Sequence, residues 1–170
     1  MIDLTSEYRK ILDEIDGDSS GEVYRMRLIT YKPPYILAGI NTVDEERQLY
    51  IDIGNEPWEK LQLNSLPKWR GLSCEIRYIE RIGPLKNRYY LVLRQETEQT
   101  AEIFEGVLQN LINHLEHMED ENSLYATVFS VLDRWRHFFS RGGARKLTDE
   151  QQRGLFAELY YIREWMRKFP

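Results

Sequence analysis

Between Glu22 and about residue 95 the apolar residues of this chain recur at every second position; from Glu96 onward they recur at every third or fourth. A period of two lines one face of a strand, and a period of 3.6 lines one stripe of a helix. Strands gathered in one run and helices in the next predict an α+β fold. The expected order is an N-terminal helix, a small, mostly antiparallel sheet of about five strands, then three C-terminal α-helices. The expected division is a sheet module over residues 1–95 and a helical segment over residues 96–170.

The local signals fill in this outline. Tyr8, Ile11, Leu12 and Ile15 share one face of a helix over residues 4–16, which Gly17 stops. In "EVYRMRL", Tyr24, Met26 and Leu28 point one way while Arg25 and Arg27 point the other. Pro33-Pro34 breaks the chain before "YILAGI", and the charged turn "NTVDEER" leads into "QLYIDIG". After a stretch holding Trp58 and Trp69, strands at about 72–80 and 88–95 are joined by the loop "IGPLKN". Connections this short favour an antiparallel meander. Beyond it, Phe104, Val107, Leu108, Leu111, Leu115 and Met118 form one helical stripe, with seven acids through Asp120 on the remaining faces. Leu124, Val128, Val131, Leu132, Trp135 and Phe138 form the next. A third helix over 148–169 opens with the capping box "TDEQ", Thr148 to Gln151, and carries Leu155, Leu159, Ile162, Met166 and Phe169 on one stripe.

The net charge of −5 hides a segregated pattern. Residues 1–59 sum to −7, residues 60–94 to +6, residues 95–121 to −8 and residues 122–170 to +4. On one reading the acidic helix lies beside the basic strands and neutralises them. On the other, Arg25, Arg27, Arg77, Arg88 and Arg94, with Tyr78 and Tyr90, make a positive sheet surface that tracks a nucleic-acid backbone. The loop "SRGGARK" poses the same choice. Arg141, Arg145 and Lys146 offer charge to phosphates beside a pliable backbone, or Gly142 and Gly143 merely end a helix whose basic last turn suits its dipole.

Other chemistry finds little support. "HLEH" places His114 and His117 on adjacent turns with Glu121 beyond, but two histidines on an acidic helix read as surface residues rather than a metal site. There is no P-loop, no G-x-G-x-x-G and no G-x-S-x-G. The single Cys74 reads as a buried structural thiol, without an internal disulfide. No apolar run reaches the length of a membrane span, and "MIDLTSEYRK" lacks the pattern of a signal peptide, so a cytoplasmic protein is expected.

At its C-terminal helices the chain resembles a known family. "RWRHFF", a glycine-containing loop, and "LTDEQQRGLFAEL", with its Gly-Leu-x-x-Glu-Leu core, are similar to a bacterial family of PD-(D/E)XK nuclease-like proteins associated with restriction and phage-defence gene clusters. The resemblance is specific over about residues 132–166, and Ala157 stands where a second glycine is expected. It implies an Mg²⁺-dependent DNA endonuclease in which Glu158 is the helix acid, followed by strands bearing an Asp and then (D/E)-x-K. Those later residues are missing: two positions before the seven lysines stand Tyr8, Thr30, Trp58, Leu66, Pro84, Ala144 and Met166, none acidic. Glu75-Ile76-Arg77 comes nearest, but it precedes the helix and carries an arginine. The resemblance therefore implies that these residues are the non-catalytic N-terminal portion of a longer protein, with no cofactor of their own. Such a portion grips DNA or docks a protein partner of a defence system, and self-associates through the apolar stripe of its last helix. The alternative is a complete, non-enzymatic protein-interaction or dimerisation module.

Overall fold

A computed structural model describes residues 2–16, 24–56, 71–82, 84–96, 101–118, 120 and 123–142. The elements are α1 (Leu4–Asp16), β1 (Tyr24–Leu28), β2 (Ile36–Asn41), β3 (Arg47–Gly54), β4 (Leu72–Ile82), β5 (Leu85–Gln95), α2 (Ala101–Glu116) and α3 (Leu124–Gly142). The architecture is the expected one: a helix, a five-stranded antiparallel sheet, then helices. The third C-terminal helix, 148–169, lies outside the described residues.

The sheet is not a simple meander. Its order is β1-β2-β3-β5-β4, with every neighbouring pair antiparallel. The connection from β3 to β4 spans residues 55–71, long enough to carry the chain past one strand position; β5 then returns into the gap. The β4–β5 hairpin is also tighter than the loop "IGPLKN" suggests. Pairing runs on through Arg81↔Lys86 and Ile82↔Leu85. Asn87 holds φ 53° within the strand, a conformation asparagine tolerates, and its Oδ1 accepts from Tyr78 Oη at 3.0 Å.

Register assigns the faces, because directly paired residues point the same way. One face carries the apolar row Ile36, Ile51, Leu91 and Ile76, with Ala38, Leu49, Leu93 and Cys74 as its neighbour. Helices α1 and α2 cover this face. Tyr8 Oη donates to Gln48 O at 2.7 Å, and the Leu4 amide donates to Gln109 Oε1 at 2.8 Å. Leu4, Tyr8 and Ile11 are fully buried there, each contributing about 1.5–3 kcal/mol by the usual area rule.

The opposite face holds a second cluster, Leu37, Tyr50, Tyr90 and Val92, flanked by Leu28, Ile79 and Ile82. Here the sheet curls. The Arg77 guanidinium of β4 lies 5.7 Å from the ring of Tyr24 on β1 and 5.7 Å from that of Tyr50 on β3. In a flat sheet β1 and β4 would stand about 19 Å apart, four strand spacings. Met26 and Tyr24 therefore sit at the rim of a concave face, about 40% exposed.

Helix α2 buries Phe104, Val107, Leu108, Leu111 and Leu115 as its stripe predicts, and Ile112 with them. It also buries Glu105, which the sequence reading placed among the solvated acids. Met118 falls beyond the helix end, half-buried. In α3, Leu124, Val128, Val131 and Leu132 are buried, Trp135 is half-buried, and the Phe138 side chain lies outside the described residues. The chain divides into two compact units, Met1–Asp133 and Arg134–Pro170. Helix α2 thus joins the sheet unit, whereas the change of period alone draws the line at residue 95.

Candidate nucleic-acid interface

The five sheet arginines do not make one surface. Arg25 and Arg27 pair with Ile40 and Ala38 on the helix-covered face, which is also the face of Tyr78. Arg77, Arg88 and Arg94 share the concave face with Tyr90. Periodicity shows which residues of one strand share a face; only the register between strands shows which faces coincide.

Each of these arginines is engaged. Arg27 meets Glu7 at 3.1 Å and Glu14 at 2.8 Å, both on α1. Arg88 grips the Asp52 carboxylate through Nε at 3.0 and 3.1 Å and again through Nη2, and donates to Asn55 Oδ1 at 3.1 Å. Arg94 meets Glu46 at 3.2 Å, and Arg77 is bound to Glu75. Arg25 is engaged as well. The bond to Asp52 raises the Arg88 pKa; for Arg94, burial pulls downward, and the Glu46 bond together with the charges of Glu46 and Glu75 raises it overall. The carboxylates facing Arg77, Arg88 and Arg94 come from β4, β3 and the β2–β3 turn, not from the acidic helix α2. That helix instead sends Glu105 to Arg47, an arginine absent from the sequence-derived set, at 2.5 Å.

A polar chain crosses the concave face: Glu75 accepts from Arg77, Arg77 Nη1 donates to Tyr50 Oη at 3.1 Å, and Tyr50 Oη donates to Gln48 Oε1 at 2.6 Å. Gln48 Nε2, Tyr90 Oη and Arg94 Nε are buried and find no hydrogen-bond partner among the described residues. Burial raises the Tyr50 pKa against the pull of Arg77, and burial followed by the Asp52 charge pushes Tyr90 up to about 12. Gln48 and Asp52 escaped the sequence reading. Their one signal is a polar residue standing inside a strand of otherwise buried neighbours.

Of the remaining candidates, Arg141 lies in the last described turn of α3 with its side chain outside the described residues. Arg145, Lys146 and Glu158 lie wholly outside them. His114 Nδ1 donates back to Asn110 O at 2.8 Å and His117 Nδ1 to Asn113 O at 2.7 Å, bonds within one helix that gather no metal. Among the described residues no three His, Cys, Asp or Glu gather into a group that could hold a metal ion.

Cys74 is half-buried, and burial followed by the Glu75 charge pushes its thiol up to about 12. With an unfolded thiol near 8.5, its thiolate population at pH 8 falls by on the order of a thousandfold. A thiol reagent is expected to label the native chain at a rate still climbing tenfold per pH unit at pH 10. A plateau near pH 9 would contradict this.

Charge divides along the same line as the two compact units. Met1–Asp133 holds 14 Lys and Arg against 24 Asp and Glu, net −10, and Arg134–Pro170 holds 9 against 4, net +5. Among the described residues no helix is long and apolar enough to cross a membrane. These features define an α+β protein whose curved antiparallel sheet is laced by buried ion pairs. The family described as "Putative PD-(D/E)XK family member, (DUF4420)" matches residues 7–170, and the chain belongs to this PD-(D/E)XK nuclease-like family. No curated protein and no solved structure matches it.

Proposed function

We propose that this chain is the non-catalytic N-terminal portion of a PD-(D/E)XK-like DNA endonuclease of a restriction or defence system. In this reading the unit Arg134–Pro170 touches the DNA backbone, while the acidic sheet unit stands off the DNA and docks a protein partner. The observation that carries it is the charge division: net −10 over the sheet unit, where Arg27, Arg47, Arg77, Arg88 and Arg94 are bound to carboxylates, against +5 over the C-terminal unit. Lys and Arg that neutralise phosphates release the counterions condensed on DNA, so the backbone is met where cations are in excess over carboxylates. Glu158 keeps its place in the motif as the helix acid. With no (D/E)-x-K in these residues, the chain by itself leaves DNA uncut, and Mg²⁺ belongs to the longer protein.

The test is duplex DNA binding by the full chain across a salt series. Replacing Arg141, Arg145 and Lys146 with Gln together is expected to flatten the slope of log affinity against log salt by about 3, one unit per lost phosphate contact. Arg27→Gln and Arg94→Gln are expected to leave the slope unchanged. If the sheet variants flatten it and the loop variant does not, the assignment is wrong. If the chain binds no DNA at any salt, the alternative gains: a complete interaction module in which Glu158 is structural.

A further inference from the structure

The two edges of the sheet differ in a way that selects a partner. β1 and β4 are its edge strands, and among the described residues no strand pairs with the outer side of β4. An open edge is a template for another strand unless its side chains forbid the match. Suppose two copies pair antiparallel about a two-fold axis normal to the sheet. Like faces then stay together only if the axis passes between a residue and its own copy.

For β1, such an axis at Arg25, Met26 or Arg27 sets Arg25 against Arg25, Arg25 against Arg27, or Arg27 against Arg27. Like charges directly opposite one another destabilise a pair. β4 behaves otherwise. An axis at Ile76 sets Glu75 opposite the copy's Arg77, twice, and Cys74 opposite Tyr78. Axes at Arg77 and Ile79 oppose arginines, Arg77 to Arg77 and Arg77 to Arg81. An axis at Tyr78 gains Glu75 to Arg81 but sets Ile76 against Glu80. Two registers thus pair opposite charges, and each sets an apolar residue against Glu80. At Ile76 that residue is Leu72, the first of the strand, whereas at Tyr78 it is Ile76 near the middle, so the Ile76 register is the better match.

Three further observations agree with that register. The apolar row Ile36, Ile51, Leu91 and Ile76 runs across the helix-covered face and ends, half-buried, at the β4 edge, where a second Ile76 would continue it. Glu75 and Arg77, bound to each other within the strand, keep 41% and 31% of their side chains exposed, so each presents charge at the position where the copy's opposite charge would lie. Tyr78, a large apolar surface 48% exposed on the same strand, would be covered by the copy.

We propose that this chain pairs with a second copy of itself along β4, antiparallel, with the two-fold axis at Ile76, joining two five-stranded sheets into one of ten strands. This pairing uses other residues than the apolar stripe of 148–169, and it requires nothing of the DNA reading.

The experiment uses the full chain. Sedimentation over a concentration series is expected to show a reversible dimer. Directly opposed residues hold their Cβ atoms about 4.5–5.5 Å apart, within a small adjustment of disulfide reach. In a Cys74→Ser background, Ile76→Cys should therefore cross-link on mild oxidation, and Tyr78→Cys should not. Glu75→Arg is expected to weaken the dimer about tenfold, two like-charge contacts replacing two ion pairs. The exchange Glu75→Arg with Arg77→Glu is expected to restore it. A chain that stays monomeric, a dimer trapped equally well at Tyr78, or one that ignores Glu75→Arg overturns the proposal. Should Glu75→Arg fail to fold, the cross-linking pair still decides the register.

Discussion

Replacing Arg47 with alanine is expected to remove about 3–5 kcal/mol of folding stability, the range for a buried ion pair deprived of one partner. The Glu105 side chain is 8% exposed and accepts from Arg47 Nε at 2.5 Å and from Thr5 Oγ1 at 2.7 Å. The Arg47 guanidinium lies 5.8 Å from the Tyr8 ring, and Tyr8 is bonded to the backbone of Gln48. One pair thus ties α1, α2 and β3 together. Burial, and then the Glu105 charge, raise the Tyr8 pKa well above the usual phenol value. Alanine at 47 leaves the Glu105 carboxylate buried with a single hydroxyl donor. The urea midpoint is expected to fall at constant m, with a drop of roughly 10–15 °C in Tm for a unit of this size. The double variant Arg47→Met with Glu105→Leu should recover most of the loss, since apolar replacement of both partners removes the desolvation cost with the pair. A loss under about 1 kcal/mol for Arg47→Ala would mean that water screens the pair as it does a surface bridge.

The same pair shows where sequence reading stops. Leu49 and Ile51 alternate with Tyr50 and Asp52, and the stripe from Phe104 to Leu115 repeats at helical spacing, so the elements and most of the core were legible. Local pattern cannot see partners. The cation that makes Glu105 burial tolerable is 58 residues away, and the one that does so for Asp52 is 36 away. A lone acid reads as solvated until its partner is known. Strand order failed for a related reason: where β4 docks depends on the path of the long connection at 55–71, which carries no period. The split of the arginines between two faces likewise needed the register, because each strand alone fixes only its own alternation. Glu158 rests on the Gly-Leu-x-x-Glu-Leu core, on resemblance rather than on periodicity, and it lies outside the described residues.

Arg88 provides the sharpest separation between a structural arginine and a DNA-binding one. Its partner Asp52 has a side chain only 2% exposed, at the bulge where β3 shifts register against β5. Asp52 Oδ1 also accepts the Gly54 amide at 3.0 Å, where Gly54 takes φ 103°, a conformation suited to glycine. Arg88→Ala removes a bidentate donor and strands a buried carboxylate, so a loss of about 3 kcal/mol or more is expected in equilibrium unfolding. The double variant Arg88→Met with Asp52→Asn is expected to recover part of it. Asparagine keeps an oxygen for the Gly54 amide and carries no charge to desolvate, whereas leucine at 52 would orphan that amide. If Arg88 instead served DNA, alanine would leave stability nearly intact and lower affinity at every sequence, flattening the salt slope by about one. Measured below the melting transition, the folded Arg88→Ala protein is expected to hold DNA as the parent chain does. A stable variant with a flattened slope would move the phosphate contact back onto the sheet. It would also mean that the Asp52 pair opens to let Arg88 go, a rearrangement that the second acceptor at Asn55 and the burial of Asp52 both oppose.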